Sequence, residues 1–384
     1  MAVPRAESDE RVTFLELFFD LVFVFAITQV TGLMAAKGSW TGLGQGMLVL
    51  AALWWAWAGY AWLTNRIDPE EGGVRLAVFA VMAALLIASL AVPRAFGSDA
   101  EVFGVAYLVV RALHIALFWL SSREDPRARS LVARLAVPQL LGGAIVCLAC
   151  FLDGAAQYAV FGLALLVDYG GLLLTGVEGW ELHPRHFAER HGLIVIIALG
   201  ESIVALGVGA ANHPVTASIA VAAALGVAIA SALWWAYFDV VAPVAERRLS
   251  ALGGGERARM ARDSWTYLHL PMIAGIILFA LGLKTTLGHV DEPLSTVAAT
   301  ALCGGPALYL LALVAFRLRN VGSLNKQRTV TVLLLLALIP VAHSVDALPA
   351  LSIVAAACCG LIAYEAIRFR EARDRVRHAN EVLA

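Results

Sequence analysis

Two carboxylates four residues apart are the first candidates for chemistry. Glu16 and Asp20 lie in the apolar run Thr13 to Met34, reading TFLELFFDLVFVFAITQVTGLM. On a helix that step stacks them on a single face. A carboxylate at the centre of an isolated membrane helix costs about 3 kcal/mol on insertion scales. The face must therefore turn toward protein or water. Such a pair suits ion or proton binding; the plainer reading is a polar clamp between helices.

Other ionisable residues interrupt later apolar runs. Arg111 and His114 share a helix face through a three-residue step, Asp168 stands in another run, and Glu201 is followed by Ser202. An unpaired buried charge costs far more than a paired one. We therefore expect these groups to meet, with Arg111 paired to Asp20 or Glu201 and His114 completing the cluster. The segment 183–191 holds His183, His186 and His191 with Glu189 and Arg190. His186 and His191 are five apart, not the i, i+4 step of a helical zinc site. We read the segment as a cytoplasmic helix start led by Glu189 and Arg190. The pair Cys147 and Cys150 has no second pair to answer it, so no metal is expected, and no cofactor. The five cysteines all fall in apolar runs, where they act as small apolar residues.

These residues must be positioned by membrane helices. Apolar residues make up 60% of the 384 and charged residues 15%, against about 25% charged in a soluble domain. Mean hydropathy is +0.79. The fold class is all-α and polytopic, and the bilayer is the expected partner. The net charge of -1 gives no sign of nucleic-acid binding. Twelve spans are expected near 13–34, 42–63, 74–92, 101–120, 131–151, 155–176, 190–209, 216–240, 264–284, 294–316, 328–346 and 349–367. Kinks are expected at Pro138 and Pro340. The glycines at 200, 207 and 209 suit close helix approach or a break beside Glu201. The segment 242–263 reads as a connector, and no loop is long enough for an enzyme head group. The polar opening MAVPRAESDERV does not read as a signal peptide.

Lys and Arg set the orientation. With twelve spans, 24 of the 28 fall on the side shared by both termini, from Arg5 and Arg11 to the five arginines between 368 and 377. Lys37, Arg94 and Lys284 fall on the other. Both termini are thus expected in the cytoplasm. The charged tail from Phe369 is expected to continue the last helix into the cytoplasm.

An internal repeat organises the spans. Ala52-Leu-Trp-Trp-Ala-Trp57 recurs as Ala232-Leu-Trp-Trp-Ala-Tyr237, each after a span with a buried acid, Asp20 or Glu201. Six helices per half make the halves, 1–180 and 181–384, parallel repeats.

The motifs carry a resemblance. Arg11-Val-Thr-Phe-Leu-Glu16-Leu-Phe-Phe-Asp20-Leu-Val-Phe-Val-Phe-Ala resembles the opening of the bacterial low temperature requirement A family. Glu189-Arg190-His-Gly-Leu-Ile-Val-Ile-Ile-Ala-Leu-Gly200-Glu201-Ser202-Ile203 resembles its second hallmark. The resemblance implies a many-spanning inner-membrane protein linked by name to growth in the cold. It brings Glu16, Asp20, Glu189, Arg190, Glu201 and Ser202 forward as motif residues, with no role attached. Phe18-Phe-Asp20 is also similar to the first-helix Arg…Phe-Ser-Asp motif of certain potassium channels, with Phe19 in place of Ser. The expected function is a secondary transporter or channel, its path between the halves and Asp20, Glu201, Arg111 and His114 at the polar centre. Glu16 would stand at the cytoplasmic entrance and Asp168 nearby. Buried acids make proton coupling a reasonable companion. A structural, stress-adaptive protein whose charges only lock helices remains an alternative, and an intramembrane enzyme is a weaker one. Substrate and oligomeric state are not legible.

Overall fold

The computed structural model describes residues 11–177, 179–211, 213–371 and 373–374. Arg5, Arg375, Arg377, most of the polar opening stretch and the end of the charged tail lie outside the described residues. The regular elements among the described residues are helices: α1 Phe14–Lys37, α2 Trp40–Thr64, α3 Gly72–Ala91, α4 Ala100–Ser121, α5 Pro126–Ala149 and α6 Gly154–Thr175. There follow α7 Pro184–Ala210, α8 Ala217–Phe238, α9 Val241–Ala251 and α10 Gly254–Met260. A π-helical stretch Ala261–Tyr267 leads into α11 His269–Gly288, then α12 Thr296–Val321, α13 Lys326–Ala337, α14 Ile339–Ser344 and α15 Ala347–Arg368. Among the described residues, twelve helical stretches are long and apolar enough to cross a membrane, matching the number read from hydropathy. The 24 residues of α1 rise about 36 Å, enough for a hydrocarbon core of about 30 Å.

Local chemistry sets the helix ends. Thr13 and Glu16 form a capping box at the start of α1: the Glu16 N–H donates to Thr13 Oγ1 at 3.3 Å, and the Thr13 N–H donates to Glu16 Oε2 at 2.9 Å. Asp125 caps α5 by accepting from the N–H groups of Arg127 and Ala128, with Pro126 at the first helical position. Ser295 and Asn325 cap α12 and α13 in the same way. Gly322 ends α12 at φ +72°, a left-handed conformation that a Cβ would disfavour. Pro340 falls at the break between α13 and α14, where a kink is expected, whereas α5 runs through Pro138 without interruption. The 242–263 connector is itself largely helical, as α9 and α10.

The chain divides into two compact units. The first holds α1 to α6, the first turns of α7 as far as Arg190, and Leu252–Arg262. Here α3 packs on α1 and α4, and α5 on α4 and α6. The α2 helix joins α4 through the Tyr60 hydroxyl, which donates to Val110 O at 3.1 Å, and α6 through Tyr169, which donates to Ala51 O at 2.9 Å and stacks on Trp55. On α6 the buried residues Phe161, Ala164, Asp168 and Gly171 share one face, while Leu163, Leu166, Leu173 and Leu174 are exposed. In a bilayer that outer surface faces acyl chains and the inward face is free to carry polarity.

The second unit holds α7 from His191, with α8, α9 and α11 to α15. At its centre α11 and α12 meet backbone to backbone. A Cβ on Gly282 would come within 2.6 Å of Leu302 Cα, and one on Gly305 within 2.5 Å of Phe279 N. Lipid tails are as apolar as leucine, so close van der Waals approach supplies the association energy that water would supply elsewhere. A neutral network lies beside it. Tyr237 is hydrogen-bonded to His269 Nε2 at 2.9 Å, His269 Nδ1 to Ser264 O at 3.0 Å, and Ser264 Oγ donates to Asn320 Oδ1 at 2.7 Å.

Candidate functional site

The capping box that starts α1 also fixes Glu16 at the edge of a buried polar cluster. Glu16, Asp20 and Arg190 are each at most 2% exposed. Arg190, on the first turns of α7, is placed between the two acids. Its Nη2 donates to Asp20 Oδ1 at 3.0 Å, and its Nη1 lies 3.7 Å from Glu16 Oε1. The indole N–H of Trp57 on α2 donates to the same Asp20 oxygen at 2.9 Å, and the guanidinium lies 5.7 Å from the centre of the Trp57 ring. Glu16 Oε1 and Asp20 Oδ2 accept no hydrogen bond from the described residues. A cavity of about 10 Å³ touches Glu16, Arg190, Tyr60 and Thr64, roughly the room of one water.

The protonation of His186 follows from its neighbours. The Asn65 amide is oriented by the main chain of His183: Nδ2 donates to His183 O, and Oδ1 accepts from the His183 N–H, both at 2.9 Å. The same Nδ2 lies 3.1 Å from His186 Nδ1, which must therefore accept. The proton sits on Nε2, which donates to Glu16 Oε2 at 3.0 Å. His186 is thus a neutral imidazole. Two carboxylates then face one guanidinium and, with both acids ionised, the cluster carries one negative charge that no cation among the described residues is seen to pair.

A second buried pair lies in the same unit. Arg111 Nη2 on α4 donates to Asp168 Oδ1 on α6 at 2.9 Å, with the two side chains 1% and 0% exposed. Two glycines of α5 clear the way between them. A Cβ on Gly142 would stand 2.5 Å from Asp168 Cγ, and one on Gly143 3.3 Å from Arg111 Cβ. This corrects the expected pairing of Arg111 with Asp20 or Glu201: the guanidinium reaches α6 because α5 is thin at that level. His114 does not join a carboxylate. Its ring lies over Gly59 and against Tyr60 and Phe118, and neither nitrogen has a hydrogen-bond partner among the described residues.

Glu201 and Ser202 lie on the part of α7 that belongs to the second unit, and both are buried. Glu189 accepts from the Val12 N–H at 3.4 Å. Of the three histidines near the start of α7, His186 serves Glu16, while His191 lies edge-on to His269. Gly209 approaches α11, where its Cβ would meet Lys284 O at 2.7 Å, while Gly200 and Gly207 face open space. Sequence reasoning takes Arg190 as a helix-start residue and passes over His186, Trp57 and Asn65 as partners of the acids. The Thr13-x-x-Glu16 spacing is the legible signal for the cap. No local spacing links Asp20 to a residue 170 positions away.

The model of the family described as bacterial low temperature requirement A protein matches residues 11–363. An uncharacterized protein of Rhizobium meliloti (strain 1021) is 30% identical over 312 residues, covering 78% of this chain and 75% of that protein. No solved structure matches the chain.

Proposed function

This chain belongs to the bacterial low temperature requirement A family, and from that premise we propose that it is a membrane transport protein. Its working site is the Glu16–Asp20–Arg190–His186 cluster, which takes up and releases a proton or a small cation. The carrying observation is the charge count: two buried carboxylates, one guanidinium and an imidazole held neutral by Asn65. A buried surplus charge of this kind is costly unless something binds to it. The two oxygens without donors, Glu16 Oε1 and Asp20 Oδ2, are where the added proton or cation would sit. Arg111 and Asp168 balance one for one, so within this reading they lock α4 to α6. Glu201 and Ser202 are the buried motif residues of the second unit and are not part of this cluster. The reading is of transport rather than catalysis, with both termini in the cytoplasm as the arginine distribution indicates.

The parallel-repeat arrangement is part of the proposal. Supporting it, a tyrosine hydroxyl joins the second and fourth helices of each half, with the donor on the second helix in the first half (Tyr60 of α2 to Val110 O of α4) and on the fourth in the second half (Tyr309 of α12 to Leu233 O of α8). The second and sixth are joined with the donor on the sixth helix in both halves, by Tyr169 to Ala51 O and by Cys359 to Ala228 O.

The test is flux in proteoliposomes of the purified chain, with K⁺, Na⁺ and H⁺ gradients, comparing wild type with Asp20→Asn and Glu16→Gln. Both variants keep hydrogen-bonding shape while removing charge. We expect pH-gradient-dependent flux in wild type and at least a tenfold loss in well-folded Asp20→Asn. Folded variants that carry the same flux as wild type would sink the assignment of the site.

A further inference from the structure

A second polar feature lies far along the chain from these acids, wholly within the second unit. A cavity of about 400 Å³ opens where α8, α12, α13 and α15 end or begin. That volume is in the range of small-molecule sites, which run from about 300 to 1,000 Å³. Its lining includes four basic residues, Arg317, Lys326, Arg328 and Arg373, and two acids, Asp239 and Glu365.

The two acids are already engaged. Arg328 holds Glu365 in a two-point pair, Nε to Oε1 at 3.0 Å and Nη2 to Oε2 at 2.9 Å. Arg373 Nε donates to Asp239 Oδ2 at 2.6 Å. Arg317 and Lys326 remain. Arg317 donates from Nε to Ser323 Oγ at 3.0 Å, and neither residue has an ion-pair partner among the described residues. The cavity therefore carries two surplus positive charges. The N–H groups of Lys326 and Gln327 at the start of α13 add to them, because the Asn325 side chain takes that of Arg328 and the Asn325 carbonyl that of Thr329. The rest of the lining joins the polar Asn325 and Gln327 to an apolar side that includes Trp235, Leu324, Ile362 and Phe369. Trp235, Leu324 and Phe369 are exposed large hydrophobic residues at helix ends, the level at which tryptophans meet lipid headgroups.

We propose that this cavity binds an organophosphate anion. Its phosphate lies between Arg317 and Lys326, and its organic part lies along Trp235, Ile362 and Phe369. A guanidinium and an ammonium converging on one space suit phosphate oxygens, and the apolar wall excludes a bare inorganic ion as the best fit. The group has two sources: the headgroup of an anionic membrane phospholipid, or a soluble phosphate ester. Basic pockets between membrane helices are a recurrent setting for the first.

The experiment uses the full chain in a neutral detergent. Calorimetry measures binding of dihexanoyl phosphatidylglycerol, glycerol 3-phosphate and dihexanoyl phosphatidylcholine, and native mass spectrometry counts the bound molecules. The variants are Lys326→Gln, at an exposed site with no internal partner, and Arg317→Gln with Lys326→Gln. We expect one phosphatidylglycerol per chain, bound at least tenfold more tightly than phosphatidylcholine, and a loss of about tenfold or more in the double variant. Phosphatidylglycerol binding well above glycerol 3-phosphate supports the proposal with lipid as the source; equal binding supports it with a soluble ester. The proposal is overturned if neither anion binds more tightly than phosphatidylcholine, or if the folded double variant binds phosphatidylglycerol as wild type does.

Discussion

The two units hold their helices together by different means. In the first, charges lie inside: Arg111 with Asp168, and Arg190 between Glu16 and Asp20, all at most 2% exposed. In the second, α11 and α12 close backbone on backbone through Gly275, Gly282 and Gly305, beside the neutral chain Tyr237–His269–Ser264–Asn320. Its pairs Arg328–Glu365 and Arg373–Asp239 stand at helix ends. Both are answers to a solvent that provides no hydrophobic drive between helices. Close packing gains dispersion energy and is insensitive to protons. Buried ion pairs gain specificity, and their energy changes whenever a proton or ion arrives. Glu201, buried on α7 in the second unit, is an acid that stands outside this contrast.

The sharpest way to break this contrast is to discharge the first unit. Arg111→Met leaves Asp168 buried and unpaired, and should cost about 3–5 kcal/mol. Adding Asp168→Leu should recover most of that loss, to within about 1 kcal/mol of wild type, since an apolar pair of similar size replaces an ionic one without penalty. Thermal melts of the single and double variants in detergent read both effects. Flux retained by the double variant supports the assignment of this pair as a lock; flux lost with the fold intact would move Arg111 and Asp168 into the working site.

In the second unit the corresponding break is steric. Gly282→Val places atoms where the Leu302 backbone already lies, and should lower stability by about 1–3 kcal/mol. The loss should be the same at pH 5 and pH 8, because the nearest atoms that a Cβ would meet are those of Leu302. A pH-dependent penalty in melts at the two values would blur the distinction between the units.

The smallest effect compares two helix caps. Asp125 starts α5 and Ser295 starts α12. The Ala128 N–H is the main influence holding the Asp125 carboxyl below its ordinary 3.8, with Arg66 and Arg127 N–H assisting against partial burial. A folded value below the unfolded one gives stability that is present above about pH 4 and lost as pH falls through the folded value. The cap is worth about 1 kcal/mol or less, since Asp125 is partly exposed to solvent. Asp125→Asn should match wild type at neutral pH and remove this share of the acid loss; Ser295→Ala should cost a similar amount at every pH. Melting temperature against pH, from 3 to 7, checks both.

Much of the fold is legible in the order of the residues. Hydropathy locates twelve spans because a backbone in lipid must satisfy its own hydrogen bonds, and an apolar run of about 20 residues does so as a single helix. The break at Leu152-Asp153-Gly154 separates α5 from α6 as expected. Glu16 and Asp20 do share an inward face, because a step of four is nearly a full helical turn. The pairing of the charges is not legible. Depth along the spans puts Arg111 near Asp20 and Glu201, yet Asp168 receives it, because two adjacent glycines on the intervening helix let the side chains through.

Sequence alone therefore determined that the chain is a many-spanning membrane protein, which residues interrupt its apolar faces, and which family's motifs it carries. Periodicity and transfer energy are properties of one helix, so one helix is enough to read them. Tertiary structure alone decided that Arg190 serves both acids, that Asn65 fixes His186 as a neutral donor, and that Arg111 belongs to Asp168. Those depend on which helices become neighbours and how closely their backbones approach, a result of packing between segments up to 170 residues apart.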